Sequence, residues 1–204
     1  MMNRKELNNS YNFVGNQTWI YDDFLIENLK KSRNLFEKNS LKSNLPIPRK
    51  FNVIGLLSGL PFSIYTQDKF NRLQNQIKDI ISNKQIYLVE KLNYGIEYYV
   101  FKWPQDKDLN NKKLSLCKEI FYKILSKFKS FQIEINGFQI NPDGCILMKG
   151  LPLNNEFLNI RNFIKQSYSP YESLHKQSNW MHIPLGRILD PVGKEDADVD
   201  NDGD

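Results

Sequence analysis

Histidine occurs only twice in the 204 residues, at His175 and His182, and cysteine only twice, at Cys117 and Cys145. Two cysteines without an export signal do not make a disulfide framework, and this His/Cys set contains no zinc-ligand spacing. No apolar run approaches the roughly 20 residues that a bilayer requires. The first ten residues are polar and lack the apolar core of a secretory signal. The 10 glycines form neither a P-loop nor a dinucleotide-binding turn, and no Ser-His-Asp arrangement is present. The expectation is a cytoplasmic chain with no membrane partner, no metal and no cofactor.

What is present suits a folded domain. Apolar residues make up 40% and charged residues 25%, and 13 Phe, 10 Tyr and 3 Trp supply core material. Charge is unevenly spread. Asp190–Asp204 holds seven acids and one base out of totals of 23 and 28, which leaves 27 basic and 16 acidic residues, net +11, for residues 1–189. A body that basic attracts anions such as RNA, nucleotides or phosphate esters; the same lysines also read as solvated faces.

Residues 1–21 are polar with no clear period. Asp22 and Asp23 stand at a helix start, and Leu25, Leu29, Ser32 and Phe36 follow at helical spacing as far as Ser40. Pro46 and Pro48 mark a linker, so residues 1–48 read as an appendage, 49–190 as the main domain and 191–204 as an acidic, disordered tail. In the main domain, FNVIGLL, Gln85–Glu90, Tyr94–Phe101, Phe131–Ile140, Cys145–Met148 and Trp180–Leu189 read as strands. Helices are expected over Phe70–Ile81, Leu114–Lys129 and Phe157–Ile164, and Asn141-Pro142-Asp143-Gly144 is a turn.

One internal echo organises these elements. LLSGLP at Leu56–Pro61 and LMKGLP at Leu147–Pro152 carry Gly-Leu-Pro triplets 91 residues apart, and each leads into a helix and then a strand. The repeat points to an α+β fold of two lobes: antiparallel sheets with flanking helices facing each other across a central cleft.

With its opening strand ending in Leu60-Pro61, FQIEINGFQI, the Asn141–Met148 hairpin and the closing WMHIPLGRIL, the stretch Phe51–Leu189 resembles the two-histidine phosphoesterase superfamily, LigT-like cyclic phosphodiesterases among them. The resemblance implies that each lobe brings one His-x-Thr or His-x-Ser strand to the cleft. One histidine then acts as general base and the other as general acid on a phosphodiester. Alternate strand residues point the same way, so a His and a hydroxyl two apart both face the cleft. An imidazole, with a pKa of about 6.5, can take or give the proton.

Here the second motif falls on His182-Ile183-Pro184, with the histidine present and the hydroxyl missing. The first falls within Tyr94–Phe101, with Gly95 at the histidine position and Glu97 at the hydroxyl position. His182 and Glu97 are thus the candidate catalytic pair. Arg187, Gly95 and Pro184 are the substrate-binding positions, Arg187 as phosphate clamp or surface arginine. His182 also reads as a structural strand histidine, and His175 sits in a polar loop. The two-imidazole mechanism cannot run on this chain. The resemblance therefore implies a divergent phosphoesterase-fold protein that binds a cyclic phosphate nucleotide or RNA phosphodiester and hydrolyses it slowly, if at all. The alternative is a non-catalytic interaction or structural protein retaining only the fold. In the tail, Asp198–Asp204 matches the first seven positions of a calcium loop, but no bidentate Glu follows, so only weak calcium binding is expected.

Overall fold

The computed structural model describes residues 4–18, 26–43, 45–168, 177–178 and 180–191. Within them lie five α-helices, α1 (Arg4–Gln17), α2 (Ile26–Arg33), α3 (Ile64–Ile80), α4 (Asn111–Lys127) and α5 (Glu156–Tyr168). The strands are β1 (Ile54–Ser58), β2 (Ile86–Leu88), β3 (Ile96–Lys102), β4 (Ile133–Ile140), β5 (Cys145–Pro152) and β6 (Met181–Ile188). β1 pairs with β3, and β2-β6-β5-β4 form a second sheet; every pairing is antiparallel. The α+β class with two antiparallel sheets follows. Asp22, Asp23, His175 and the acidic residues beyond Pro191 lie outside the described residues. Among the described residues no helix is long and apolar enough to cross a membrane, and no group of His, Cys, Asp or Glu could hold a metal ion.

Strand alternation sorts the core into layers. On β5, Ile146 and Met148 pack towards Phe70 and Ile77 of α3, together with Met181, Ile183, Leu185 and Ile188 of β6. The other face of β5, with Cys145, Leu147 and Leu151, receives Leu7 and Tyr11 of α1. Tyr99 and Phe101 of β3 pack against Cys117, Ile120 and Ile124 of α4 and Ile160 and Ile164 of α5. Each such side chain contributes about 1.5–3 kcal/mol by leaving water. Local caps fix two helix starts: the Ser63 side chain accepts the Thr66 amide, and Asn110 accepts that of Lys113.

Three features differ from the sequence reading. First, residues 4–17 are helical. Their buried stripe is only Leu7, Tyr11 and Gly15 among asparagines, too narrow to register as a period. Second, α2 stops at Arg33 rather than Ser40. Beyond it Glu37 N–H donates to the Ile47 carbonyl and Arg49 N–H to that of Leu35, so the chain folds back on the Pro46–Pro48 segment instead of continuing the helix. Third, the two Gly-Leu-Pro triplets adopt different conformations. Gly59, at φ 81°, makes the turn after β1. Gly150 lies inside β5, which runs on to Pro152; a Cβ there would stand 1.9 Å from the Met181 carbonyl oxygen. The order strand, helix, strand recurs after both.

Candidate functional site

A bulge decides which residues of β6 share a face. Leu147 pairs with Pro184 and Ile146 with Gly186, so Leu185 has no partner opposite. His182 therefore faces Lys149, Pro184 faces Leu147 and Arg187 faces Cys145, all on the side of the sheet that α1 covers. Without the extra residue, Arg187 would point to the α3 side, since five is an odd step. β3 carries two irregularities against β1, one that leaves Phe101 without a partner opposite and one nearer its start that matches the β6 bulge. Leu57 pairs with Glu97 and Leu56 with Tyr99, leaving Tyr98 without a partner opposite. Glu97 thus shares the face of exposed Leu57, away from the helix-packed side that holds Leu56 and Tyr99. In each strand the bulged residue is the third after the first motif position: Tyr98 after Gly95, Leu185 after His182.

The two sheets meet where β3 runs against β6, and Arg161 of α5 clasps that seam. Its guanidinium donates to the carbonyls of Tyr98 (2.9 Å), Glu97 (3.0 Å), Trp180 (2.9 Å) and Ser178. The Phe157 ring lies 4.4 Å below its Cζ. Gln177 completes the join, its side-chain amide accepting from Val100 N–H and donating to the Val100 carbonyl. Burial lowers the Arg161 pKa to about 10, with Glu97, Tyr11 and Tyr98 opposing, so it remains a cation at neutral pH. Four of its five N–H groups are spent on backbone.

His182 and Glu97 both feel that cation. Burial, then Arg161 and Arg187, depress the His182 pKa to about 4, with Asp143 opposing. The imidazole is neutral at pH 7, and its Nδ1 is buried without a hydrogen-bond partner among the described residues. Trp180 stands edge-on at 6.1 Å between ring centroids. The Glu97 carboxyl is pushed above its usual range by burial, and Arg161 pulls it back. A neutral imidazole can hydrogen-bond a phosphate oxygen, but at pH 7 it has no proton to give to a leaving group. An arriving phosphodiester anion would favour its charged form and raise its pKa.

The remaining positions are placed as follows. Gly95 immediately precedes β3, and a Cβ there would meet the Leu60 side chain at 3.1 Å, so Leu60 occupies the direction a side chain at 95 would take. Pro184 is half-buried beside Leu147. Arg187 donates to Ser32 Oγ (2.6 Å) and Asp143 Oδ2 (2.9 Å), tying α2 to the β4–β5 turn. Lys149 pairs across from His182, and its ammonium makes a long bond, 3.4 Å, to Asn12 Oδ1. α1 closes this face. Tyr11 hydroxyl donates to the Gly150 carbonyl and accepts from Met181 N–H, its ring lies 4.7 Å from that of Trp180, and Trp180 Nε1 donates to Ser10.

Sequence reasoning missed Arg161, Lys149 and Tyr11. A signal existed for Arg161: it falls on the apolar stripe between Phe157 and Ile164, where a charge must find partners. Tyr11 gave none, because its role rests on backbone groups of two distant strands. The chain matches no model of a known protein family and no curated protein sequence.

Proposed function

We propose that this chain is a divergent LigT-like phosphoesterase-fold protein whose site, at the β3–β6 seam, binds a cyclic phosphate nucleotide or an RNA phosphodiester and turns it over slowly or not at all. The observation that carries the reading is the paired irregularity. The strands bearing Gly95-x-Glu97 and His182-x-Pro184 lie against each other, and each is bulged at the residue after its motif. Two lobes related by a repeat would place such positions on either side of a shared cleft. His182 supplies the hydrogen-bonding imidazole, Lys149 the charge for a phosphate oxygen, and Glu97 a carboxyl whose pKa burial raises against the pull of Arg161. Hydrolysis is slow because, among the described residues, no second imidazole stands by to exchange protons with the first, and each missing acid–base partner is worth about 10²–10⁴-fold.

A binding titration with a 2′,3′-cyclic nucleotide, paired with a hydrolysis assay, tests the proposal. Saturable binding that weakens in Lys149→Gln and in His182→Gln, with little turnover, is the expected result. Fast wild-type hydrolysis that survives His182→Gln would put the site elsewhere. The second reading, an interaction protein that keeps only the fold, is favoured by the placement of α1 across the His182 face and by the commitment of Arg161 and Arg187 to protein partners. It predicts no binding to any phosphate ester.

A further inference from the structure

β2 is an edge strand, and its hydrogen bonds alternate. Leu189 N–H donates to the Gln85 carbonyl and Val89 N–H donates to that of Leu185. In an antiparallel pair, the residues between those positions turn their polar groups the other way. The amides and carbonyls of Ile86 and Leu88 therefore face away from β6, into an open groove of about 980 Å³. The far wall of the groove is the segment around residues 41–47, with exposed Leu45 and Ile47. Lys42, Lys78 and Lys84 stand around it with the acid Asp79 among them, and Lys42 and Lys78 are exposed. Asp190, bonded to Gln85 N–H, lines its end.

The sequence that follows Asp190 has the complementary pattern. Asp196, Asp198, Asp200, Asp202 and Asp204 recur at every second position, with Ala197, Val199, Asn201 and Gly203 between them. In extended form such a segment shows all five carboxylates on one side and small residues on the other. Fourteen residues beyond Asp190 reach at most about 50 Å, ample for a groove that begins at Asp190 itself. Single exposed ion pairs are worth only about 0–1 kcal/mol. Tethering changes the balance, because a segment joined to its site binds at an effective concentration of about millimolar.

We propose that the β2-edge groove is a docking site for an extended acidic segment, and that its occupant is residues 191–204 of the same chain, laid along β2 with its aspartates towards Lys42 and Lys78. The seam site plays no part in this contact. Zero-length carbodiimide cross-linking of the full chain, followed by peptide mapping of the monomer, tests it. The expected products join Asp196–Asp204 to Lys42 or Lys78. Their yield should fall about threefold or more in 1 M salt, where the Debye length is about 3 Å, and should fall likewise in Leu45→Asp/Ile47→Asp, which keeps both reacting lysines but puts like charge in the groove. Tail cross-links that concentrate instead on the α4 lysines, that form only between differently isotope-labelled copies, or that do not form at all would overturn it. The high-salt arm uses the wild-type chain, so the test does not depend on how the variant folds.

Discussion

His182 is held neutral by its surroundings, and that has a consequence for stability. Its folded pKa of about 4 lies below the unfolded value of about 6.5, so the unfolded chain binds the extra proton first. Stability from this group is therefore complete above pH 6.5 and declines as pH falls towards 4, by up to about 3 kcal/mol. Urea unfolding of wild type and His182→Gln at several pH values reads this directly. The wild-type loss between pH 6.5 and 4 should exceed that of the variant; equal slopes would mean that the imidazole is solvated. Arg161 makes the opposite case, a charge that stability needs. Arg161→Met strips four carbonyls of their donor, and a buried acceptor left unsatisfied costs about 1–3 kcal/mol. Arg161→Lys should recover little of it, because one ammonium cannot span the carbonyls of both Glu97 and Trp180. A lysine variant with wild-type stability would show that the clasp is unimportant. Of these two residues, His182 was singled out in the sequence by the resemblance of its strand to a His-x-hydroxyl motif, whereas the role of Arg161 depends on carbonyls that only tertiary structure assembles.

Among the elements, the strands and the three central helices were legible because their apolar periods are wide and regular, as in Cys117, Ile120 and Ile124 of α4. α1 was not, because Tyr11 anchors it through two hydrogen bonds and one ring contact rather than through a broad apolar face. Tyr11→Ala should accordingly cost about 3–5 kcal/mol, as for other large buried aromatics. It should also open the α1–β5 layer, which hydrogen exchange would register as faster exchange in Arg4–Gln17 and at Met181. Unchanged protection there would mean that the helix is held by its ends, through the Arg4–Glu134 pair and the Thr18–Ile140 bond. The bulges at Tyr98 and Leu185 were equally hidden from the sequence, since neither residue differs in type from ordinary strand residues.

At the scale of the whole molecule, the antiparallel α+β class followed from the strand–helix–strand order repeated after the two Gly-Leu-Pro triplets, whereas the covering of the His182 face by residues 4–17 did not follow from any local pattern. That covering separates a site that binds from a surface that is merely packed. Imidazole NMR of His182 during titration with a 2′,3′-cyclic nucleotide, with phosphorus spectra of the same sample, distinguishes the two most directly. Binding at the β3–β6 seam requires the His182 nitrogen resonances to shift saturably and its pKa to rise from about 4, while the cyclic phosphate signal persists. His182 resonances that stay unmoved at saturating ligand, whether or not the phosphate is hydrolysed, would contradict it.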